Sequence, residues 1–455
     1  MAERVGVFTV MRYLYDWLMV MMQPLLRRKL LRRSVLEPGY AVAIEERFGR
    51  YTGLAPAADG RTIWIHAVSL GETRAAAALV AALRQKIPMM RLLLTHGTAT
   101  GYAEGAKILL SGDCQTWLPW DSNAAVDGFL NHFKPAIGIL METEIWPNLI
   151  AACQRRQLPL VLVNARMSDK SMRQAQILGW LSRPAFAALA AVWAQTEADA
   201  QRLRLLGARV KGVFGNLKFD ATPNADQIAA GKLWRSRLTR PVVMLASSRA
   251  GEELALLQIL KAFRPVALDG QAFVATDSIV DQVQWLIVPR HPQRFDEVAD
   301  LIMSQGFAVS RRSDWGADMA VPSPQAKPTL WLGDSLGEMA WYYSLADVAL
   351  LGGSFEPLGG QNLIEAAACA CPVVMGPHTF NFAQAAEMAQ EAGAAQRVDN
   401  LAQAVRVAHG LALNPTAQNV MADAAEKFAS RNRGAVGQTA QAVAELLDQQ
   451  GVDGG

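Results

Sequence analysis

Neither an Asp-x-Asp triplet nor a Gly-x-x-x-x-Gly-Lys-Ser/Thr run occurs anywhere in the 455 residues. The first absence removes the usual ligands of metal-clamped diphosphate chemistry, and the second argues against a P-loop nucleotide hydrolase. Cysteine is scarce: Cys114, Cys153, Cys369 and Cys371 sit in dissimilar, mostly apolar contexts with no zinc-site spacing. A single residue separates Cys369 from Cys371, which suits neither a redox pair nor a disulfide. The four read as reduced core residues of a cytoplasmic compartment. A net charge of +3 gives no electrostatic case for any particular partner, and nucleic acid is not expected. Long uncharged apolar runs are missing too. The stretch from Val5 to Leu26 contains Arg12 and Asp16 and lacks a small-residue cleavage site, so it is no signal peptide and is marginal as a full membrane span.

What is present points to size and to parallel sheets. A chain of this length exceeds one hydrophobic core, so two domains are expected. Hydrophobic residues make up 51% and charged residues 19%, as buried parallel strands flanked by apolar helices require. Charge is unevenly placed. Arg27, Arg28, Lys29, Arg32 and Arg33 follow the amino-terminal apolar stretch directly. Residues 1–35 therefore read as a membrane-associated segment, an interfacial helix or a single anchor whose basic flank meets anionic headgroups on the cytoplasmic side. The competing reading is an amphipathic helix that covers the domain.

Apolar bursts at 63–65, 92–94, 137–140, 160–163 and 191–193 alternate with helical patterns, the signature of a doubly wound parallel sheet over residues 36–216. A linker occupies 217–240, and the pattern restarts over 241–425 with strands at 242–246, 285–288, 329–332, 348–351 and 373–374. The stretch 314–327, with Pro322 and Pro324, reads as a loop. Residues 426–455 form a helical tail whose last residues fray. The α/β class thus resolves into two Rossmann-like doubly wound parallel-sheet domains facing a cleft, preceded by a membrane-associated helix.

Ligand chemistry is expected at the carboxyl ends of these strands. In the second domain the run from Val348 to Leu351 ends in Gly352-Gly353-Ser354 and leads to a helix opening Asn362-Leu363-Ile364-Glu365, a strand-to-helix junction whose unpaired N–H groups favour an anion. Glu365 stands where a carboxylate could accept hydrogen bonds from ribose hydroxyls, although Asn362-x-x-Glu365 is equally a capping box. Turns containing Ser247-Ser248-Arg249, Pro289-Arg290-His291 and Gly337-Glu338-Met339 each follow a strand and cluster on the same edge. Arg290 offers a bidentate pair to phosphate, Gly337 permits close backbone approach, and Glu338 is alternatively a helix cap. In the first domain, His66-Ala67-Val68-Ser69-Leu70-Gly71-Glu72 follows a strand. His66 is a ligand contact or a hydrogen-bonded structural residue, and Ser69 with Glu72 makes a second capping box. Glu142, Glu144 and Trp146 follow another strand, where the carboxylates could accept hydrogen bonds from a ligand and the indole could offer an apolar stacking face or pack into the core.

The chain resembles the 3-deoxy-D-manno-octulosonic acid (Kdo) transferases of lipopolysaccharide assembly. The resemblance is carried by Glu46-Arg47-Phe48-Gly49, by the run from His66 to Glu72, by Thr95-His96-Gly97-Thr98-Ala99-Thr100-Gly101, by Leu118-Pro119-Trp120-Asp121, by the run from Glu142 to Asn148, by Asn164-Ala165-Arg166, by Gly215-Asn216-Leu217-Lys218 and by the second-domain turns. It implies a GT-B glycosyltransferase that moves Kdo from CMP-Kdo to a lipid A precursor (lipid IVA), with inversion and without a metal or other cofactor, on the cytoplasmic side of the inner membrane. It also implies Glu46 as general base, with CMP held by Ser247, Ser248, Arg249, Pro289, Arg290, Gly337, Glu338, Met339, Asn362 and Glu365. His66, Ser69, Gly71, Glu72, Glu142, Glu144 and Arg166 would face the acceptor, and Arg156, Lys170 and Arg173 add possible phosphate contacts. Trp120 and Ser248-Arg249 depart from the side chains the resemblance leads one to expect. Two rival readings remain: a sugar-nucleotide epimerase on the same scaffold, and a membrane-tethered ligand-binding protein without catalysis.

Overall fold

The computed structural model describes residues 2–53, 62–220, 223–263, 279–315 and 328–452, with side chains described from Arg12 to Gln449. Most of the loop expected over 314–327 and the last residues of the expected frayed tail lie outside them. The chain divides into two compact units, Met1–Ala221 with Asn432–Gly455, and Thr222–Arg431.

The first unit holds a seven-stranded, wholly parallel sheet: β1 (Thr62–His66), β2 (Arg91–His96), β3 (Cys114–Trp117), β4 (Ile137–Met141), β5 (Leu160–Ala165), β6 (Ala191–Ala194) and β7 (Val210–Val213), in the order β3-β2-β1-β4-β5-β6-β7. Strands β1, β4 and β5 are buried at every position, because helices cover both faces. The core on one face gathers Trp64, Phe129, Leu140 and Leu162; the other gathers Ile63, Leu79, Ile139 and Val161. The helix Ala435–Val452 completes that second face with Ala435, Val436, Ala440 and Val443. Asp220 fixes its start, accepting from the N–H of Gly434 at 2.5 Å and from that of Val436.

The second unit repeats the plan with β8 (Val242–Ser248), β9 (Gln284–Pro289), β10 (Ala308–Arg311), β11 (Thr329–Leu332), β12 (Val348–Leu351), β13 (Val373–Met375) and β14 (Ala395–Arg397), ordered β10-β11-β9-β8-β12-β13-β14 and again all parallel. In each sheet the winding reverses at one place, between β1 and β4 and between β8 and β12. Open α/β sheets bind ligands outside the carboxyl ends at such a reversal.

All ten strands expected from apolar bursts are present. The four that went unrecognised, β3, β7, β10 and β14, are the edge strands of the two sheets. Residues of β7 alternate between half-buried and exposed, and those of β10 are half-buried throughout, so neither produces an apolar run.

At the amino terminus, helices Ala2–Met21 and Gln23–Leu36 run over the first unit. Asp16 anchors the first of them, accepting from the backbone N–H of Asn123 at 2.6 Å and from the Asn148 amide at 3.2 Å. Tyr15 bonds to the buried Asp121. The outward face keeps Tyr13, Leu14, Trp17, Leu18 and Met21 exposed. Among the described residues, no helix is long and apolar enough to cross a membrane.

Candidate functional site

In the first unit the site residues lie on the carboxyl edge of the sheet. Glu46 sits in a short 3-10 helix, Ile44–Phe48, flanked by left-handed backbone at Ala43 and Gly49. Gly49 is obligatory there: its φ is 79°, and a Cβ would stand 2.4 Å from the Cα of Ala125. The Glu46 Oε2 atom accepts from the Thr116 hydroxyl at 2.7 Å and from the Trp117 N–H at 3.1 Å, both at the end of β3. Glu45, its neighbour, points the other way and pairs with Arg27 and Arg50. Among the described residues no cation pairs with Glu46.

Arg47 is buried at 4% exposure, stacks 3.9 Å over Trp117 and donates to the Gly97 carbonyl at 3.1 Å. Burial pulls its pKa down to about 10. It is an interior brace of the turn.

His66 is 1% exposed, with Nδ1 bonded to the Thr95 hydroxyl at 2.9 Å; burial, reinforced by His96, lowers its pKa to about 3. Its other ring nitrogen, Nε2, is buried and has no hydrogen-bond partner among the described residues. Ser69 caps the helix as expected, its Oγ accepting from Glu72 N at 3.4 Å, but the Glu72 carboxylate reaches one residue further back than a capping box requires, accepting from Val68 N and from Ser69 Oγ, both at 2.9 Å. Gly71 lies in the first turn of that helix with open space where a Cβ would be.

Glu142 ends β4 in a left-handed conformation, φ 59°, and Asn164 does the same on β5, φ 52°. Such backbone at non-glycine positions concentrates at functional sites. Glu142 pairs with Lys218 at 2.9 Å. Glu144 accepts from the Trp146 indole at 2.8 Å, which commits that indole locally while its ring packs against the core. Burial, then the nearby Glu72, pushes the Glu144 carboxyl up to about 7. Burial and Glu142 raise Glu72 as well. Glu72, Glu142, Glu144 and Lys218 thus form one electrostatically coupled group at the reversal point of the sheet, suited to sugar hydroxyls. Arg166, at the end of β5, is exposed and has no side-chain partner among the described residues; Lys170 and Arg173 are exposed on the helix that follows. Arg156 does not join them. It caps the far end of the helix Pro147–Arg155 and pairs with Asp127 at 2.8 Å.

In the second unit the anion junction after β12 differs from its sequence reading. The Gly353 N–H is not unpaired: the buried Glu252 carboxylate accepts from it at 2.8 and 2.9 Å, and also from Arg249 N at 2.9 Å and from Phe355 N. An internal carboxylate thus occupies the strand end of the junction, and the helix N-terminus at Asn362 lies beyond it. Positive charge gathers at the next turns instead. The half-buried Arg249 reaches His291 Nε2 at 3.0 Å, and Arg290 is exposed beside it. His291 has its pKa lowered by partial burial and then by Arg249, Arg290 and Arg294. An anion there would relieve the repulsion.

Ser247, with φ 55°, and the wholly buried Ser248 end β8, and Ser248 donates to Glu253 at 2.7 Å. Pro289 is the buried last residue of β9. Gly337 adopts φ 79° and accepts from Gln227 at 2.8 Å. Glu338 makes no capping bond; it pairs with Arg312 at 3.0 Å and accepts from Ser335, while Met339 opens the helix Met339–Leu345 half-buried. Asn362 is a true N-cap, accepting from Ile364 N at 3.1 Å, with the half-buried Glu365 in the first turn. Sequence reasoning gave no role to Thr116, Lys218 or His291. His291 was visible within its Pro-Arg-His-Pro turn, whereas Thr116 and Lys218 reach their glutamates across 70 and 76 residues of chain.

Residues 43–221 match the family model described as 3-deoxy-D-manno-octulosonic-acid transferase (kdotransferase). A 3-deoxy-D-manno-octulosonic acid transferase of Bordetella pertussis is 43% identical over 406 residues, 88% of this chain and 91% of that protein. One from Haemophilus influenzae is 32% identical over 432 residues, 93% and 96% of the respective chains. Among solved structures, a UDP-GlcNAc 2-epimerase from Neisseria meningitidis bound to UDP-GlcNAc shares the fold with a TM-score of 0.51 at 14% identity, covering 85% of this chain and all of that one.

Proposed function

The chain belongs to the Kdo transferase family, with the two parallel sheets of the GT-B fold, and on that premise we propose that it transfers Kdo from CMP-Kdo to a phosphorylated lipid A precursor by a single inverting displacement. An acceptor hydroxyl oxygen forms the new bond to the anomeric carbon as the bond from that carbon to the phosphate oxygen breaks. CMP leaves with the electron pair, and Glu46 takes the hydroxyl proton.

The observation that carries the assignment of the base is the different fate of two adjacent glutamates. Glu45 is neutralised by two arginines, whereas Glu46 is held by neutral donors on one oxygen. Guanidinium groups compete with an incoming proton for Glu45, and among the described residues no cation pairs with Glu46. In the second unit, Arg249, Arg290 and His291 would meet the cytidylate phosphate, and Glu365 the ribose. In the first, Glu72, Glu142 and Glu144 would orient acceptor hydroxyls and Arg166 an acceptor phosphate. The exposed apolar face of the helix Ala2–Met21, followed by Arg28, Lys29 and Arg32, supports attachment to an anionic membrane surface, where the lipid acceptor is concentrated.

The test is transfer from CMP-Kdo to tetraacylated lipid A precursor by the purified protein, its Glu46→Gln variant and its Glu45→Gln variant. Loss of the base lowers kcat by about 10²- to 10⁴-fold while CMP still binds; Glu45→Gln retains activity. Full activity in Glu46→Gln removes this residue from the mechanism.

A further inference from the structure

We propose that Thr116 is a positioning residue for Glu46, one that selects which carboxylate oxygen is offered to the acceptor; the inference rests on the reading of Glu46 as base. Thr116 lies in β3, the edge strand that the amino-acid pattern does not reveal, and is 2% exposed. Its hydroxyl donates to Glu46 Oε2 at 2.7 Å, and the adjacent Trp117 N–H donates to the same oxygen at 3.1 Å. Two donors on Oε2 leave Oε1 as the oxygen available to take a proton, and they fix the plane of the carboxylate. A freely rotating glutamate would present either oxygen in many orientations, and proton transfer requires one that is held.

The strand and the turn are locked to each other well beyond this pair. The Trp117 indole donates to the Val42 carbonyl at 2.8 Å, just before the left-handed Ala43. Trp120 N donates to the Arg47 carbonyl at 2.8 Å, and the Arg47 guanidinium lies flat on the Trp117 ring, which also stacks on Tyr40. Backbone placement of Glu46 is therefore secured by groups other than Thr116. What the threonine adds is control of the carboxylate itself.

Removing the Thr116 hydroxyl takes one of the two donors from Oε2 and loosens the plane in which Oε1 is held. The experiment measures kcat, KM for both substrates and CMP affinity for Thr116→Val and Thr116→Ser. In Thr116→Val, kcat falls about 10-fold or more, while KM values and CMP affinity hold. Thr116→Ser, which keeps the hydroxyl, restores the rate. Thr116→Ala carries the same expectation should the valine variant not fold. In a Glu46→Gln background, Thr116→Val adds no further loss. A wild-type kcat in Thr116→Val overturns the positioning role with Glu46 still the base, whereas an active Glu46→Gln overturns the base reading itself.

Discussion

A buried histidine that stays neutral leaves a measurable mark on stability. His66 holds a proton in the folded protein only below about pH 3, while an unfolded histidine binds one near 6.5. Between those values the unfolded chain carries the extra proton, so the contribution of His66 to stability is complete above 6.5 and is lost as pH falls. His96, lowered to about 4 mainly by burial, acts in the same direction. Asp121 and Glu144, raised to about 6 and 7 chiefly by burial, act in the opposite one, since they lose stability as pH rises from their ordinary values. Urea unfolding between pH 4 and 7 separates these terms if wild type is compared with His66→Asn, which cannot titrate. The variant shows a shallower loss of stability on acidification, and an unchanged slope would mean that His66 is charged in the folded state.

Helix starts and strand ends carry most of what this chain does, and they differ in how far the sequence discloses them. Ser69 and Asn362 are N-caps that the capping pattern alone identifies, and they bond to Glu72 N and Ile364 N, three and two residues on. The central strands are equally legible, since burial on both faces forces continuous apolar runs. Edge strands are not, because half their surface escapes the core, and with β3 went the recognition of Thr116. The turn after β12 misleads for a different reason. Its glycines do supply anion-seeking N–H groups, but the anion arrives from Glu252, 101 residues earlier in the chain. That carboxylate ties the backbone of Arg249 to Gly353. Glu252→Ala leaves several buried donors unsatisfied, each costing about 1–3 kcal/mol. We expect CMP affinity, measured by calorimetry, to drop about 10-fold or more, using 1.4 kcal/mol per decade; unaltered affinity would show that this turn does not support the Arg249 side chain.

At the scale of the whole molecule, each unit has its own sheet and its own core, so two unfolding transitions are expected. The first unit is built from separated pieces of chain. Its last helix contributes Val436 and Val443 to the core, and burying two valines stabilises by about 3–6 kcal/mol. Truncation after Arg431 removes them together with the Asp220 cap on that helix. Calorimetry of the shortened protein should show the transition of the first unit moved sharply down and that of the second unit little changed; equal shifts in both would mean that the two do not melt independently.

That discontinuity sets an order of events on the ribosome. Translation releases every segment of the second unit before it delivers the helix Ala435–Val452 that completes the first, so the half begun first is finished last. Until then the face to which Leu79 belongs lacks the apolar side chains of Ala435, Val436, Ala440 and Val443, and such transiently exposed surface is prone to non-native association.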